Sequence, residues 1–352
     1  MSPVDAKSPQ YPDALPVGTA LGEFVISNVI GVGGFGIVYM AHDTTLERTV
    51  AIKEYLPITI AGRSTAHHGV LVRSTLHQPT YSTGLRSFLR EARLQARFSH
   101  PAMLEVYRVW EQNATAYMAM RYYPGRSLRE LRLDDAASAL FQEDSIRHIL
   151  SPVFDALEEL HSQSVLHRDV SPDNILMLPT GTPVLLDFGS ARSVVAGDEQ
   201  SLTTVLKPGY APLEQYADDG TMEQGPWTDV YGLGAVLHYL AIGSAPPQPV
   251  TRLLGGSMRA FDEGTAGRYS PQFVAAVMAA LAVKPKDRLQ SVAALRDALG
   301  WRFEGAGQRA PTVLIAPAAA VAGAVAVNEI TANTAAHVEP RTLPPLGTRE
   351  AG

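Results

Sequence analysis

The feature that most constrains this chain is a short polar stretch followed by a second acidic one. Residues 167–174 read HRDVSPDN, and residues 187–189 read DFG. Asn174 lies directly before one predicted strand and Asp187 ends the next, so an amide and a carboxylate meet where the strand ends come together. Both supply the hard oxygen ligands that magnesium prefers. Asp169 lies in the preceding loop and could orient and deprotonate a hydroxyl group, so this order predicts metal-assisted phosphoryl transfer.

A glycine-rich segment lies between two predicted strands near the start of the chain. Residues 31–38 read GVGGFGIV, and glycines allow backbone N–H groups to approach phosphate oxygens closely. The pattern G-x-G-x-x-G is weak by itself, because it also marks dinucleotide-binding turns that open a helix. Here a strand containing Val38, Tyr39 and Met40 follows, which favours a phosphate-covering hairpin. A plain glycine hairpin is the alternative.

Two charged residues have a spacing that suits the same chemistry. Lys53 ends a predicted strand that begins at Val50, and Glu91 lies on a helix predicted from Ser87 to Phe98. An ammonium group at Lys53 could pair with the α- and β-phosphates of a nucleotide if a carboxylate held it in place. Taken singly, each residue is more often a solvated surface charge. The prediction depends on their order relative to the glycines.

The composition excludes several classes of function. The chain has 352 residues and a net charge of −6 at pH 7, which argues against a nucleic-acid binder. It has no cysteine, which excludes disulfides, thiol nucleophiles and cysteine-ligated zinc and fits a reducing compartment. Residues 1–10 lack the apolar core of a secretory signal, so we expect a cytoplasmic protein.

Strands come first and helices later, which predicts an α+β fold with a sheet-rich and a helix-rich lobe. Residues 1–20 predict a disordered lead-in. The folded domain is expected over 21–301, with the first lobe over about 21–120 and the second over about 124–301. Residues 302–352 form a low-complexity tail rich in alanine and proline.

Two helices of the second lobe have clear patterns. Apolar residues keep helical spacing from Ile146 to Leu160, which predicts a long amphipathic helix. The run from Val230 to Ile242 is apolar nearly all round, which predicts a central buried helix. Residues 57–83 are irregular and contain His67, His68 and His77. A mobile surface loop is the better interpretation of this insert, and a metal site is the alternative.

Together these motifs resemble the bacterial eukaryotic-like (Hanks-type) serine/threonine protein kinases. The resemblance covers the stretch from Phe24 to Leu299 and implies a bilobal protein kinase fold, MgATP as the phosphoryl donor (manganese is also possible) and protein substrates. It implies catalytic roles for Lys53, Glu91, Asp169, Asn174 and Asp187, with Asn174 and Asp187 as the metal ligands. The residues that would bind the nucleotide are Ile30, Gly31, Val32, Gly33, Gly34, Phe35, Gly36, Val38, Ala51, Lys53, Met120, Arg121, Tyr123, Leu176 and Asp187.

The resemblance also implies three structural roles. Glu214 would end the activation segment and pair with Arg288, and Asp229 would anchor the backbone of the catalytic loop. Arg121 stands in the hinge where these kinases often have glutamate. Because the hinge would bond the adenine through main-chain groups, that change should matter little for ATP.

The sequence departs from the family pattern at two sites. Ser171 stands where serine/threonine kinases carry a lysine that contacts the γ-phosphate, and Lys207 stands where they carry a threonine. We expect an exchange in which Lys207 supplies the positive charge and Ser171 the hydroxyl; a surface or substrate-binding role for Lys207 is the alternative. Gln95, one turn after Glu91, replaces an apolar residue. This replacement weakens the expectation that the helix is held firmly inward.

Regulation and location are further expectations. Ser201, Thr203 and Thr204 are candidate phosphorylation sites, with Thr203 favoured, and a phosphate there could pair with Arg168. Self-association for trans-autophosphorylation is possible. The Ala/Val-rich run at 313–327 is short for a membrane span; a flexible linker is favoured, and inner-membrane association through this run is the alternative.

Three activities are compatible with these residues. The leading one is an active kinase that phosphorylates serine or threonine and autophosphorylates its activation loop. A pseudokinase that binds ATP or acts as a scaffold is favoured by Ser171 and Gln95 and opposed by the five acidic, amide and lysine residues of the site. A small-molecule phosphotransferase of related fold is the third, and the activation segment argues against it.

Overall fold

The computed structural model describes residues 11–188, 206–216, 222–258, 261 and 267–301. The predicted α+β architecture is confirmed: an antiparallel sheet with one long helix precedes a helical body that carries a small sheet. Met103 and Leu185 form an isolated bridge between the two parts, flanked by the bond from Leu104 N to Leu185 O at 3.0 Å. The two parts therefore meet next to the residues that follow Leu185 in the chain.

The first lobe is built on a six-stranded antiparallel sheet in the order β1-β2-β3-β4-β8-β7. Two further strands pair with each other in the insert, and three more form a small sheet, β11-β10-β9, in the second lobe. The strands are β1 (Ala20–Leu21), β2 (Phe24–Gly33), β3 (Gly36–Asp43), β4 (Arg48–Tyr55), β5 (Ala61–Arg63), β6 (Val70–Val72), β7 (Val106–Gln112), β8 (Thr115–Arg121), β9 (Arg126–Ser127), β10 (Ile175–Met177) and β11 (Pro183–Leu185).

Most helices lie in the second lobe. They are α1 (Gln78–Gln95), α2 (Leu128–Arg132), α3 (Glu143–Ser162), α4 (Pro226–Ile242), α5 (Pro249–Leu253), α6 (Pro271–Ala280) and α7 (Val292–Ala298). Short 3-10 turns occur at Thr75–His77, Asp135–Phe141, Pro172–Asn174, Leu213–Gln215 and Pro285–Asp287. Among the described stretches no helix combines the length and the apolar character that crossing a bilayer requires.

Helix α1 is the only long helix described in the first lobe, and it begins earlier than the sequence predicted. The helical pattern is evident from Ser87, but the helix starts at Gln78. Its first half contains Gly84, where a Cβ would lie 2.1 Å from the hydroxyl oxygen of Tyr55. The glycine that obscured the pattern is therefore what allows α1 to approach β4.

A buried carboxylate ties the insert to the sheet. Glu54, on β4 next to Lys53, accepts hydrogen bonds from the hydroxyls of Tyr39 (2.7 Å) and Tyr117 (2.9 Å) and pairs with Arg63 of β5. The Arg63 Nε in turn donates to the carbonyl of Asp13 at 2.7 Å. Burial raises the pKa of Glu54, and the charge of Arg63 opposes that effect. The insert, predicted to be a mobile loop, contributes a buried group to the lobe.

The expected disordered lead-in is wrong for residues 11–19. Ala14 and Leu15 are buried in the core of the first lobe, and Leu15 N donates to the Tyr39 hydroxyl at 3.1 Å. Residues 1–10 and the predicted tail at 302–352, including the run at 313–327, lie outside the described residues.

The second lobe is organised around α4, the predicted central helix. Its residues from Val230 to Ala241 are almost all inaccessible to solvent. The helix also lies very close to the loop after α3, because a Cβ at Gly232 would lie 2.8 Å from the Cβ of Val170. A buried helix thus packs against the polar stretch at 167–174.

Candidate active site

The polar loop at 167–174 is held by one carboxylate of α4. Asp229 accepts hydrogen bonds from the backbone N–H of His167 (2.9 Å) and of Arg168 (2.7 Å), and it lies 2.8 Å from Nε2 of His161. Burial opposes its charge, but the His161 ring and the His167 N–H outweigh burial and lower the pKa of Asp229. Arg168 has a left-handed backbone conformation, with φ of 67°, which side chains rarely adopt. The anchoring role expected of Asp229 agrees with these contacts.

His167 joins this loop to the segment that carries Asp187. Its Nε2 donates to the carbonyl of Leu186 at 2.7 Å, and its Nδ1 accepts the N–H of Asp169 at 3.3 Å. This pattern requires the neutral ring. Burial lowers the pKa of His167, and nearby carboxylates only partly offset that effect. The sequence pattern included His167, but no role was assigned to it.

Asp169 and Asn174 contact each other within the loop at 167–174. The Asn174 amide nitrogen donates to the Asp169 carboxylate at 2.6 Å and to the Asp169 carbonyl at 2.8 Å. Each residue is about nine-tenths buried, with 8% and 9% of its surface accessible. The amide therefore fixes the carboxylate while its own oxygen is the atom suited to a cation.

Lys207 reaches this cluster from the segment after the undescribed residues 189–205. Its Nζ donates to the Ser171 hydroxyl at 2.7 Å and lies 3.5 Å from the Asp169 carboxylate. Ser171 is fully buried. The two residues expected to have exchanged types are thus in direct contact, beside Asp169.

Lys53, on β4 of the first lobe, contacts Asp187. Its Nζ is 2.9 Å from Oδ2 of Asp187, and Glu91 is buried on the inward side of α1. Oδ1 of Asp187 is buried without a hydrogen-bond partner among the described residues. A cation held by Asp187 and Asn174 would satisfy that oxygen, so the residues present fit a magnesium ion.

The glycine segment forms a hairpin between β2 and β3. Gly33 pairs with Gly36, and Val32 pairs with Ile37 across it, so a strand follows the glycines as predicted. Val38 lies opposite Lys53 in the register of β3 and β4. A Cβ at Gly36 would lie 2.0 Å from the carbonyl oxygen of Glu54. This close approach explains the glycine at that position.

The residues expected to enclose a nucleotide base lie on strands of both lobes. Ala51 of β4 pairs with Met120 of β8, and Leu176 lies on β10 in the second lobe. Five side chains expected around the base are buried with a small accessible remainder: Ile30, Val38, Ala51, Met120 and Leu176. Arg121, the hinge residue, is exposed and lies 3.6 Å from Glu105. The Tyr123 hydroxyl donates to the Met103 carbonyl at 3.3 Å.

The inward face of α1 carries a polar group in an apolar setting. Gln95 is 1% accessible, and its Oε1 has no hydrogen-bond partner in the described part of the chain. Near it, the rings of Phe98 and Phe188 make an edge contact at 6.2 Å, and Phe188 makes another with His167 at 5.2 Å. The helix is thus packed against the second lobe next to an unsatisfied group.

Two ion pairs fix the region around the site. Arg288 makes a bidentate contact with Glu214, at 2.6 and 3.2 Å, and both side chains are fully buried. Arg129 of α2 makes a second bidentate contact, with Asp173, at 2.5 and 3.0 Å. Sequence reasoning predicted the first pair and missed the second, because no spacing links Asp173 to a residue 44 positions earlier.

Other predicted residues remain outside this description. Gly189, Ser201, Thr203 and Thr204 lie outside the described residues.

Within the described ranges, no group of three or more histidine, aspartate or glutamate side chains could hold a metal ion. His67, His68 and His77 therefore do not form such a group.

Comparison with protein families matches residues 24–297 to the protein kinase domain. The chain is 28% identical over 324 residues to the serine/threonine-protein kinase PknD of Chlamydia pneumoniae, and 29% identical over 323 residues to that of Chlamydia muridarum. These alignments cover 83% and 80% of the chain but only 32% of each relative. The chain thus spans about a third of the length of these curated relatives.

Comparison with solved structures also indicates the protein kinase fold. The apo form of PpkA-294 superposes with a TM-score of 0.74 at 46% identity, covering 82% of this chain and 99% of that one. The PknI kinase domain of Mycobacterium tuberculosis superposes with a TM-score of 0.59 at 22% identity, covering 82% and 98%. The second likeness concerns the fold alone.

Proposed function

The chain belongs to the protein kinase family, in its bacterial serine/threonine branch, and from this premise we propose that it transfers the γ-phosphoryl group of ATP to serine or threonine hydroxyls of proteins. The observation that carries the proposal is the contact set around Asp169. Asn174 donates to its carboxylate at 2.6 Å, and the Lys207 ammonium lies 3.5 Å away. A carboxylate fixed in this way is ready to accept the proton of a substrate hydroxyl.

In the proposed reaction, the substrate oxygen forms a bond to the γ-phosphorus. The bond between that phosphorus and the β,γ-bridging oxygen breaks, and ADP leaves with the bonding pair. The hydroxyl proton passes to Asp169. Asn174 and Asp187 would hold magnesium, or manganese, which neutralises charge on the phosphates when bound. Lys53 would contact the α- and β-phosphates, with Glu91 buried on the helix behind it.

We further propose that Lys207 and Ser171 share a function that other kinases divide differently. Lys207 would present its ammonium to the transferring phosphoryl group, and Ser171 would hold that ammonium through the 2.7 Å bond. Positive charge fixed where negative charge develops is a large catalytic contribution. The charge would thus come from the activation segment instead of the catalytic loop.

The bidentate pair between Glu214 and Arg288 supports a protein as the substrate, because it fixes the segment after Lys207 that would face an acceptor chain. We propose that Ser201, Thr203 or Thr204 is autophosphorylated, in a transient pair of molecules, and that the protein is cytoplasmic. Association with the inner membrane through 313–327 remains the alternative. We place the kinase domain at 11–301, because Ala14 and Leu15 are buried in the core of the first lobe, with the tail after it.

A second candidate is an ATP-binding scaffold without turnover. The unsatisfied Oε1 of Gln95 favours it, because a buried unpaired polar atom destabilises the inward position of α1. One experiment separates the two. The purified protein is incubated with labelled ATP, magnesium and a generic protein acceptor, with Asp169→Ala as the matched control.

Label on protein in the wild type, absent in Asp169→Ala, is the expected result. ATP binding by both proteins without any transfer would establish the scaffold and overturn the kinase proposal. Mass spectrometry of the same samples tests the activation segment. Absence of phosphate from residues 201–204 after incubation would rule out autophosphorylation there.

A further inference from the structure

The solvent side of α1 carries a row of four arginines. Arg86, Arg90, Arg93 and Arg97 follow one another at spacings of four, three and four residues, and all four are exposed. The helical turn continues past Gln95 through the bond from Ala96 N to Ala92 O, so Arg97 extends the same face. At a rise of about 1.5 Å per residue, the row is roughly 16 Å long.

Within the part of the chain that the structure describes, no acidic side chain pairs with this row. Glu91, the one carboxylate within α1, is buried on the opposite side. Among the described residues none of the four arginines forms an ion pair; Arg86 donates only to the Thr83 hydroxyl, at 3.0 Å. Like charges at these spacings destabilise a helix. A chain with a net charge of −6 thus concentrates positive charge on the solvent side of this one helix.

The inner side of the same helix is buried against two cores and carries one unsatisfied polar atom. Gln95 lies buried there, and its Oε1 has no hydrogen-bond partner among the described residues. Leu94 packs against the core of the second lobe, whereas Phe88 and Ala92 pack in the core of the first. A helix that spans two cores and carries an unsatisfied group can be shifted by a modest force on its outer side. Such a shift would move Glu91 relative to Lys53.

We propose that the four-arginine row binds an acidic segment of a partner protein and that this binding sets the position of α1. Carboxylates bind arginines as bidentate, charge-assisted pairs, and a segment with regularly spaced acidic residues could engage several at once. The binding itself does not require catalysis; its effect on turnover rests on the function proposed above.

Two other anionic partners fit less well. Among the described residues from 78 to 98, no large apolar side chain is exposed, whereas a membrane-bound helix buries an apolar face. A nucleic acid would extend beyond the row and meet the net negative charge of the protein. A short acidic segment would contact the row alone.

The test uses the full chain and a fluorescein-labelled twelve-residue peptide of alternating glutamate and alanine, which has no hydroxyl to accept phosphate, with a glutamine-for-glutamate version as its control. Fluorescence anisotropy measures binding at low and at high salt. The variant Arg90→Gln/Arg93→Gln removes two charges from the row. The matched variant Lys284→Gln/Lys286→Gln removes two charges from an exposed turn of the second lobe. Thermal unfolding checks that both variants are folded.

We expect the acidic peptide to bind the wild type and the lysine variant with similar affinity, and to bind the arginine variant about tenfold or more weakly. The affinity should fall as the salt concentration rises. Bound peptide should change the rate of phosphoryl transfer in the first two proteins only. An equal loss of affinity in both variants would overturn the row as a binding site. Binding of the glutamine peptide as tight as that of the glutamate peptide would also overturn it. Tighter row-dependent binding of phosphatidylserine vesicles or of an oligonucleotide would overturn the protein partner. Row-dependent binding with an unchanged rate in an active enzyme would overturn the coupling to α1.

Discussion

Lys207 donates a hydrogen bond from Nζ to the hydroxyl of Ser171, at 2.7 Å and across 36 residues of sequence. The contact joins the activation segment to the catalytic loop. It also holds a positive charge 3.5 Å from the Asp169 carboxylate. An ammonium group and a hydroxyl thus meet beside the proposed base, with each supplied by the segment where the family pattern has the other.

Replacing Lys207 tests whether this charge is catalytic. We expect Lys207→Ala to lower kcat by about 10²–10³-fold, the loss usual for one preorganised charge or donor at the transferring group. The double variant Lys207→Ala/Ser171→Lys should recover part of the activity, because the ammonium returns from the other side. Steady-state kinetics with Lys286→Ala as the surface control makes the comparison. An unchanged kcat in Lys207→Ala would refute the exchange.

The buried pair between Arg288 and Glu214 should matter chiefly for stability. Both side chains are fully buried, and Arg288 also donates to the Trp227 carbonyl at 2.8 Å. Arg288→Ala leaves a buried carboxylate without its cation, so we expect a loss of about 3–5 kcal/mol in the free energy of unfolding. Urea denaturation measures it.

The partly exposed pair between Arg126 and Asp134, at 2.7 Å, provides the control. Arg126→Ala should leave the free energy of unfolding almost unchanged, as is usual for surface pairs. Similar losses in the two variants would show that burial of the Arg288 pair does not set its contribution.

Gln95 is a place where one substitution should stabilise the protein. Its Oε1 is buried without a hydrogen-bond partner in the described ranges, and a buried unsatisfied atom costs about 1–3 kcal/mol. We expect Gln95→Leu to raise the melting temperature and the basal rate together, because α1 is then held inward. Gln95→Ala removes the same atom but leaves a cavity, and serves as the control. A lower melting temperature for the leucine variant would show that the site cannot accept an apolar side chain.

His167 makes stability sensitive to mild acid. Burial lowers the pKa of its ring in the folded state, against the opposing charges of Asp229, Asp169 and Asp187. The unfolded chain therefore binds the proton more readily, with a pKa of about 6.5. The sign follows from linkage: this stability is present above that pH and is lost as pH falls below it.

The measurement is the free energy of unfolding between pH 7.5 and 5.5 for the wild type and for His167→Asn. The variant should be less stable overall but should lose less stability on acidification. His148→Asn, at an exposed position of α3, should leave the wild-type dependence unchanged. A pH dependence that is identical in His167→Asn and the wild type would show that another group is responsible.

Much of this site could be predicted because its chemistry lies in contiguous motifs. The glycine hairpin and the loop at 167–174 each place several functional groups within a few residues, so their order alone indicates the geometry. The exchange of Lys207 and Ser171 was also predicted, by comparison with the family pattern, and the two side chains are in contact. Contacts of that kind depend on comparison with a known pattern.

Long-range buried pairs could not be predicted in the same way. Nothing in the sequence links Glu54 to Arg63 or Arg129 to Asp173, since each pairing depends on how two elements cross in space. The start of α1 was missed because Gly84 weakens the helical signal, and the reason for that glycine is the Tyr55 hydroxyl on a different element. Local patterns identify elements, whereas their mutual packing selects such residues.

The position of Glu54 has a practical consequence for anyone who shortens this protein. Its cation, Arg63, is itself oriented by Asp13, whose carboxylate accepts the Arg63 backbone N–H at 2.8 Å. A version trimmed to begin at residue 21 would lose Asp13 and the buried Leu15 while keeping every residue of the active site. We expect it to have low activity because the partners of Glu54 on β4 would lose the contacts that Asp13 and Leu15 provide. That low activity would reflect the trimming and not the full protein. Shortened versions should therefore begin at or before residue 11.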